Sequence, residues 1–400
     1  MEFVSGQIKI RDIFIDNGNW WKLFLTHREL IREAIIINVL KMLSCRTSLL
    51  GWHVFVCPKC FHSVKAPHSC KSRFCSSCGK KATDNWIKTA FNTLPDTIWQ
   101  HITFTLPDHL QPFLWLNRHL FNKLAPIPAG IINGIAAKKH FLPGIYSAIH
   151  TFGRDLKRNF HIHLSTTAGG LAPDFKSWVG NAYFYHDTLK SMWRYAVIDL
   201  FRSEFKAGRL KLPPHLHHIN SYSAFNSWLD FLYQKTWVVH LNEQSDNRKA
   251  NIEYLGKYLK RPPLGESRLK SYDGKSIVFE YLDHYTNSTQ IVSLPVRDFL
   301  AKLIAHIPDH YFRNIRYYGF LANRVRGKFL PIVYNLLKQS QNYTRSVFCR
   351  WRQMLITSFG VDPLRCPACN SLLRFSYIVL PHKSLTPFHQ EIAHGHFKLL

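Results

Sequence analysis

The most regular alternation of polar and apolar positions in the chain runs over residues 159–170. In an extended strand, successive side chains point to opposite faces, so His161 and His163 share one face. The side chains between and beside them are apolar and share the other face: Phe160, Ile162 and Leu164. The pattern predicts a strand that packs on one side, carries two histidines on the other and ends in a turn at the paired glycines.

A second stretch, residues 99–106, repeats this alternation. Its apolar positions fall on one face, and His101, Thr103 and Thr105 fall on the other. Half-buried strands of this kind are typical of antiparallel sheets, so we expect the two strands to pair. Most of residues 110–149 between them is expected to be helical, with interruptions at prolines.

Apolar residues that recur every three or four positions predict helices in other parts of the chain. These helices cover residues 19–43, 82–94, 187–205, 224–234 and 295–306. Further strands are predicted at 178–186, at 290–294 and, as a hairpin with an Asp-Gly turn, over 269–281. The chain therefore combines helices with antiparallel strands.

Composition narrows the class of partner. With 52 Lys and Arg against 25 Asp and Glu, the formal charge is +27, which favours a polyanionic partner. The sequence contains no run of about 18 uncharged apolar residues, and its first residues lack a secretory pattern. We therefore expect nucleic acid rather than a membrane, and the metal-type spacing of the cysteines favours a cytoplasmic protein.

A cysteine cluster follows the first predicted helix. Two Cys-x-x-Cys pairs are separated by a short connection: Cys57 and Cys60, then Cys75 and Cys78. Four thiolates at this spacing predict one tetrahedral zinc ion. Cys70 and His68 are surplus to four ligands, so either one of them replaces a ligand or a second ion is bound with help from His53 or His62.

A second chemically suggestive stretch runs over residues 251–263. Tyr254 and Tyr258 are four positions apart, so they neighbour each other on a helix face, with Lys257 and Arg261 on adjoining surface. A phenol has a pKa near 10 in its unperturbed state, so as a nucleophile it needs a cation beside it. An aromatic pair packed against a core is the alternative interpretation.

The last third of the chain adds two features. Residues 311–319 interleave arginines, among them Arg316, with aromatic residues, which suits phosphate contacts and base stacking; a core edge with solvated arginines is the alternative. Cys366 and Cys369 resemble half of a zinc ribbon. Four histidines are possible partners for this pair: His382, His389, His394 and His396.

Taken in order, these stretches resemble the HUH (His-hydrophobe-His) transposases with two tyrosines, and more narrowly the rolling-circle insertion-sequence transposases of the IS91 type. The resemblance is carried by Ser69-Cys70-x-x-Arg73-x-Cys75-x-x-Cys78, His101-Ile-Thr-Phe-Thr-Leu-Pro107, His161-Ile-His163, and Tyr254-Leu-Gly-Lys-Tyr258-Leu-x-Arg261-Pro262. Arg316-Tyr-Tyr-Gly319 and Cys366-Pro-x-Cys369 also fit. The likeness covers about residues 15–375, and the aliphatic or aromatic character expected after His163 is missing at Ser165 and Thr166.

The resemblance implies an α+β fold with three parts. Residues 1–95 would form a helical, zinc-binding domain, residues 96–326 a ferredoxin-like antiparallel sheet with the HUH nuclease site, and residues 327–400 a small helical, zinc-ribbon-like segment. It also implies DNA transposase activity in which Tyr254 or Tyr258 cleaves single-stranded transposon ends and forms a 5′-phosphotyrosine. Such a protein is expected in the bacterial cytoplasm, associated with the nucleoid.

Roles for individual residues follow from the same resemblance. His161 and His163 would hold Mg²⁺ or Mn²⁺, and Lys257 would steady the phenolate or the phosphate. A third metal ligand is needed, and position in the chain makes His101, on the polar face of the neighbouring strand, and His240, just before the tyrosine helix, the candidates. Zn²⁺ would bind among Cys57, Cys60, Cys70, Cys75 and Cys78, and the expected DNA contacts are Arg73, Arg261 and Arg316. A replication initiator or relaxase with the same chemistry, and a non-catalytic zinc protein that binds nucleic acid, remain the alternatives.

Overall fold

The computed structural model describes residues 8–259, 262–283, 286–340 and 351–380 of the chain. The first elements are three helices, a hairpin and a long helix: α1 (Ile10–Ile15), α2 (Asn19–Thr26), α3 (Glu33–Leu43), β1 (Trp52–Val56), β2 (Ser63–Pro67) and α4 (Ser76–Thr93). The helix predicted over 19–43 is therefore two helices, since the chain turns away between Thr26 and Glu33.

The middle of the chain alternates strands with groups of helices. Its elements are β3 (Trp99–Thr105), α5 (Gln111–Leu116), α6 (Leu120–Leu124), α7 (Ile127–Lys138), β4 (Leu142–Phe152), β5 (Arg158–Leu171), β6 (Trp178–Val179), α8 (His186–Lys206), α9 (Tyr222–Tyr233), β7 (Val239–Leu241) and α10 (Arg248–Leu259). The helices predicted at 187–205 and 224–234 are confirmed, whereas the strand predicted over 178–186 is reduced to two residues.

The remaining elements form a hairpin with a third strand, three helices and two single strands. They are β8 (Leu269–Tyr272), β9 (Ser276–Asp283), β10 (Ser288–Pro295), α11 (Val296–Ala305), β11 (Ile315–Gly319), α12 (Arg326–Leu336), α13 (Trp351–Phe359) and β12 (Arg374–Val379). The predicted hairpin turns at Gly274, whose φ of +88° suits a residue without a Cβ.

The central sheet has the strand order β11-β4-β5-β3-β7, and β6 adds to one end of β5. All of its pairings are antiparallel. The pairing expected between the two alternating strands is confirmed, because Thr103 lies opposite His163 and Thr105 lies opposite His161. The α+β class with antiparallel sheets is confirmed as well.

One face of the central sheet is an apolar core. Phe160, Ile162 and Leu164 have no exposed surface and pack in one buried cluster with Trp193 of α8 and Phe113 of α5. Full burial of each such side chain contributes about 1.5–3 kcal/mol. The apolar half of the strand pattern therefore fixes which face of the sheet meets the helices.

The opposite face is covered only in part. Trp99, Tyr146 and Ala148, which lie on the same face as His163, pack with Ile252 of α10 and Trp86 of α4 in a second buried cluster. The tyrosine-bearing helix α10 therefore lies on the histidine face of the sheet. The rest of that face is left open toward a cleft.

Two smaller sheets complete the structure. The sheet β10-β9-β8 packs, with α11, against the N-terminal helices α1–α3 in a third core. The sheet β12-β1-β2 joins strands from opposite ends of the chain. The linear division at residues 95 and 326 therefore does not match the cores, because residues 264–307 share theirs with the N-terminal helices and β12 pairs with β1.

Two local predictions are wrong for identifiable reasons. Residues 142–149, the end of the stretch expected to be largely helical, belong instead to β4, whose residues from Pro143 to His150 are all buried, so no polar alternation marks it. The paired glycines do not end β5 either. A Cβ on Gly169 would lie 2.2 Å from the Val179 oxygen, and one on Gly170 would lie 2.0 Å from the Leu142 oxygen, so they admit neighbouring strands.

Within the described ranges, the helices are too short or too polar to cross a bilayer.

Candidate active site

Three histidines converge on the open face of the central sheet. His150 on β4 lies directly opposite His161 on β5, and His163 is two residues further along. Their ring centroids are 5.1 Å (150–161), 4.7 Å (150–163) and 4.8 Å (161–163) apart, and one nitrogen of each ring lies within 4.8 Å of the others. We call these three residues the histidine triad.

Hydrogen bonds fix the orientation of the triad rings. Nδ1 of His161 donates to the Asn159 carbonyl at 2.9 Å, which leaves its Nε2 lone pair available for a metal. Nδ1 of His163 lies 3.1 Å from the Thr103 hydroxyl and 3.2 Å from His101 Nε2. Backbone and hydroxyl partners of this kind are how metal-ligating histidines are held in place.

Burial favours the neutral imidazoles of His161 and His163. It lowers the pKa of His161 to about 4. The pKa of His163 also falls well below its usual value, because the ring is buried and other histidines, His150 first among them, surround it. Neutral imidazole is the form that binds a divalent cation, so the donor set fits a metal.

The third member of the triad is not one of the two residues expected. His101 does not complete the triad. Its Nε2 lies 3.2 Å from His163 Nδ1, and its Nδ1 lies 3.2 Å from the Ser165 hydroxyl. His240 is exposed on β7, opposite Thr103 and across β3 from the triad. His150 takes the position because β4, not β3, brings a histidine directly opposite His161.

The triad forms part of the lining of a cleft of about 1010 Å³. One wall is the start of α4, with Ser76 and Lys80. Another wall is formed by the sheet β10-β9-β8 and the segment before it, which includes Arg268. Arg268 donates to the Glu280 carbonyl at 2.7 Å, and burial beside Arg154 lowers its pKa. The cleft therefore has an imidazole floor and cations in its walls.

Helix α10 is fixed at both its start and its middle. The Asn247 side chain accepts a hydrogen bond from the Ala250 N–H at 2.9 Å and caps the helix. Gly256 permits a close crossing with α4, since a Cβ there would lie 2.3 Å from Ile87 Cγ1. Pro262 and Pro263, which follow the helix, line the same cleft as the triad.

Four predicted site residues fall on this helix or just after it. Helix α10 contains Tyr254, Lys257 and Tyr258, but their side chains lie outside the part of the chain that the structure describes, and so does Arg261. The tyrosines are therefore located only through their helix, which packs on the histidine face of the sheet, and through the prolines after it, which line the cleft.

The other two predicted DNA contacts lie away from the triad. Arg73 is half-buried beside a small cavity that it lines with Arg118 and His306, and burial lowers its pKa to about 10. Arg316 lies opposite Ser147, on the face of the sheet away from His163, and donates to Asn122 Oδ1 at 2.6 Å. Their contact with DNA stays a prediction.

The cysteines do not gather around one ion as the sequence suggested. One group of four sulfurs consists of Cys45, Cys70, Cys75 and Cys78, and a second group consists of Cys57, Cys60, Cys366 and Cys369. The two N-terminal Cys-x-x-Cys pairs are therefore in different groups. His68 and His53 contact each other at 2.8 Å and belong to neither group.

The first group has the geometry of a closed metal site. The Sγ atoms of Cys45 and Cys70 each lie 3.7 Å from Cys78 Sγ. A tetrahedral zinc site with Zn–S bonds of about 2.3 Å has sulfurs about 3.8 Å apart. Cys45 completes this group although the sequence offers no second cysteine near it, so spacing alone could not have identified it.

Comparisons with known proteins agree with these features. Residues 144–328 match a family described as "Putative transposase" (Y2), and residues 18–106 match a family described as "Transposase zinc-binding domain" (IS91). The chain is 37% identical over 371 residues to the transposase for insertion sequence element IS801 of Pseudomonas savastanoi pv. phaseolicola, spanning 92% of this chain and 89% of that protein. It is 27% identical over 336 residues to the putative transposase y4qJ of Sinorhizobium fredii, spanning 82% and 84%. No solved structure matches the chain.

Proposed function

Because the chain belongs to the IS91 family of transposases, we propose that it cleaves single-stranded DNA at transposon ends with Tyr254 or Tyr258 as nucleophile and the histidine triad as metal site. One observation carries the proposal: α10, which contains both tyrosines, packs on the same face of the central sheet as the triad. Rolling-circle transposition would use this single site for both cleavage and rejoining.

The triad would supply the ligands for Mg²⁺ or Mn²⁺. His150, His161 and His163 offer one ring nitrogen each, and the cleft that they line would leave room for a phosphate oxygen beside the ion. Held by these residues, a divalent ion would supply Lewis-acid chemistry: it would polarise the phosphodiester and offset the charge that develops on it in the transition state. Thr103, His101 and the Asn159 carbonyl hold the rings ready for this task.

The chemical step exchanges one phosphodiester for another. A tyrosine hydroxyl loses its proton and attacks phosphorus, the bond from phosphorus to the 3′ oxygen breaks, and that oxygen takes up a proton. The products are a 5′-phosphotyrosine and a free 3′-hydroxyl. Because the ester is conserved, no ATP is needed, and a second tyrosine one helical turn away can receive the next strand before the first is released.

The remaining residues of the cleft suit a polyanionic strand. Lys80 and Arg268 line its walls, and the overall charge of +27 supplies affinity that does not depend on sequence. We propose that Lys257 stabilises the phenolate or the phosphate, and that Arg261, which follows α10 in the sequence, contacts the DNA strand. Arg73 and Arg316 would contact DNA outside the cleft.

The zinc of the zinc-binding domain has a structural role in this scheme. We assign this zinc to Cys45, Cys70, Cys75 and Cys78. Its role is structural because four thiolates leave no open coordination position for chemistry. Cys75 immediately precedes α4, and Cys78 lies in its first turn. A zinc ion held by these cysteines would therefore fix the start of the helix that forms one wall of the cleft.

The test incubates the purified chain with single-stranded DNA carrying the element's end and Mn²⁺, and measures a covalent protein–DNA adduct on a denaturing gel. The wild type is expected to form the adduct. The double variant Tyr254→Phe/Tyr258→Phe is expected to form none while it still binds DNA. Tyr195→Phe, which changes an exposed tyrosine on α8, is the matched control and is expected to retain full adduct formation.

Each alternative predicts a different result. A non-catalytic DNA-binding protein would bind the strand and form no adduct with any end sequence, which would overturn the proposal. A replication initiator or relaxase would form the same adduct and, because the ester is conserved, would rejoin the strand to a copy of its own cleavage sequence. Joining of the transposon end to a target oligonucleotide of different sequence is therefore the readout expected of a transposase and not of an initiator.

A further inference from the structure

We infer that Cys57, Cys60, Cys366 and Cys369 form a second zinc site, built from both ends of the chain and separate from the one assigned above. Its four sulfurs lie within 4.8 Å of one another. Cys57 Sγ is 3.4 Å from Cys369 Sγ, and Cys60 Sγ is 3.5 Å from Cys366 Sγ. These separations are far longer than a disulfide of about 2.05 Å and close to the sulfur spacing of a zinc tetrathiolate, about 3.8 Å.

The two halves of the site share the same turn. In the first half, the Cys57 N–H donates to the His62 carbonyl, and the Phe61 N–H donates to the Cys57 carbonyl, both at 2.9 Å. In the second half, the Cys366 N–H donates to Ser371 and the Asn370 N–H donates to Cys366, again at 2.9 Å. Each Cys-Pro-x-Cys turn therefore points its two sulfurs in the way its counterpart does.

The residue after each second cysteine shows that the turn is not maintained by packing. Phe61 has φ +59° and Asn370 has φ +58°, in the left-handed region that costs a bulky L-residue about 1–2 kcal/mol. The Phe61 side chain is also 81% exposed. A phenylalanine that is both strained and exposed needs compensation from another part of the turn, and a metal bound to the adjacent thiolates provides it.

The apolar core around this site is too small to hold the two chain ends together. Its buried members are Phe55, Cys57, Cys366 and Leu373. Strand β12 pairs with β1, but five of its six side chains are exposed. So small a core seldom maintains a fold without a metal or a cross-link, whereas a closed zinc site contributes its binding free energy to folding.

The site would also support the active cleft from a distance. Helix α13 is held against the zinc-bearing sheet by Trp351, which stacks on Phe55 at 6.0 Å. At its other end, the Ser358 carbonyl accepts a hydrogen bond from Lys80 at 2.5 Å, and Phe359 lines the cleft. A metal bound at Cys369 would thereby help to hold Phe359 and Lys80, which line the same cleft as the histidine triad.

The test measures zinc in the purified full-length chain by mass spectrometry of the metal. The wild type is expected to carry two ions per chain, and Cys366→Ser/Cys369→Ser is expected to carry one. Cys349→Ser changes the one cysteine outside the described residues and is the matched control, expected to keep both ions. Two ions in the Cys366/Cys369 variant, or a single ion in the wild type, would overturn the inference.

Two further readouts make the result independent of a folding failure. Hydrogen exchange of the Cys366→Ser/Cys369→Ser variant is expected to show loss of amide protection in β12 and full protection in β5, so that zinc loss is local. If the variant loses protection throughout the chain, cobalt substitution of the wild type decides the question. Its thiolate-to-metal absorption is expected to correspond to two tetrathiolate-bound ions per chain. A deficit of four thiols in the denatured, metal-free wild type would show disulfides instead and would contradict the inference.

Discussion

Strand β5 presents two surfaces that differ in what holds them together. On one, Phe160, Ile162 and Leu164 are fully buried among helices; on the other, His161 and His163 bond to a carbonyl, a hydroxyl and another imidazole. The first surface gains its stability from the removal of apolar area from water. On the second surface, the hydrogen bonds orient the imidazole rings, and we expect this surface to contribute to chemistry far more than to stability.

The largest expected effect is on the histidine face. His163→Ala removes one of the three proposed metal ligands, so adduct formation in single-turnover assays is expected to fall about 100-fold or more. The free energy of unfolding, measured in urea, is expected to fall by about 1–3 kcal/mol, because Thr103 and the buried His101 lose a hydrogen bond while the apolar core is untouched. A large loss of stability with unchanged adduct formation would reverse the contrast between the faces.

The apolar face is expected to show the opposite result. Leu164→Ala leaves a cavity beneath the sheet, which is expected to lower the free energy of unfolding by about 2–5 kcal/mol. Adduct formation by the protein that remains folded is expected to stay near the wild-type rate, because Leu164 points away from the triad. A loss of activity as large as that of His163→Ala would show that the two faces are not independent.

A buried carboxylate in the helical layer over the apolar face gives a third test. Hydrogen bonds from Arg209, Lys123 and His119 hold the pKa of Glu204 at about 2, and its side chain is 1% exposed. Glu204→Gln is expected to cost about 2–4 kcal/mol at pH 7, because three donors lose their charged partner.

The pH dependence of that cost has a definite sign. A carboxylate whose pKa is lowered by folding stabilises the protein above its ordinary pKa, and this contribution is lost as the pH falls from about 4.5 toward 2. The difference in unfolding free energy between wild type and Glu204→Gln is therefore expected to shrink between pH 5 and pH 3. A constant difference over that range would show that Glu204 acts through packing alone.

The smallest expected effect lies in the support of the triad. Thr103→Val removes the hydroxyl 3.1 Å from His163 Nδ1 and is expected to weaken Mn²⁺ binding about 10-fold, measured by titration calorimetry. Thr105→Val is the control on the same face of β3, since Thr105 lies opposite His161 in the register. Equal effects of the two variants would place the contribution in the strand rather than in the hydroxyl.

The contrast between the faces also explains what the sequence could reveal. The alternation in β3 and β5 predicted both strands and their pairing, because each has one apolar and one polar face. Strand β4 has no such alternation, since it is buried on both sides, and His150 was missed with it. The one available signal was the run of aromatic and branched residues that follows Pro143-Gly144, in front of the strand with the two histidines.

The cysteines show a second limit. Spacing identifies ligands that are neighbours in sequence, but it cannot show which pairs meet in space. Cys57 and Cys60 are near Cys75 and Cys78 in the chain and yet group with Cys366 and Cys369. The shared Cys-Pro-x-Cys sequence of the two distant pairs was a usable signal, whereas Cys45 carried none.

The most direct test of the account is the position of the metal relative to the tyrosines. In crystals of the chain soaked with Mn²⁺ and a single-stranded DNA end, anomalous scattering at the manganese edge is expected to give one peak bounded by His150, His161 and His163. The phenolic oxygen of Tyr254 or Tyr258 is expected on the cleft side of that peak, with a phosphate between them. A peak elsewhere, or both tyrosines turned away from the triad with DNA bound, would contradict the proposed chemistry.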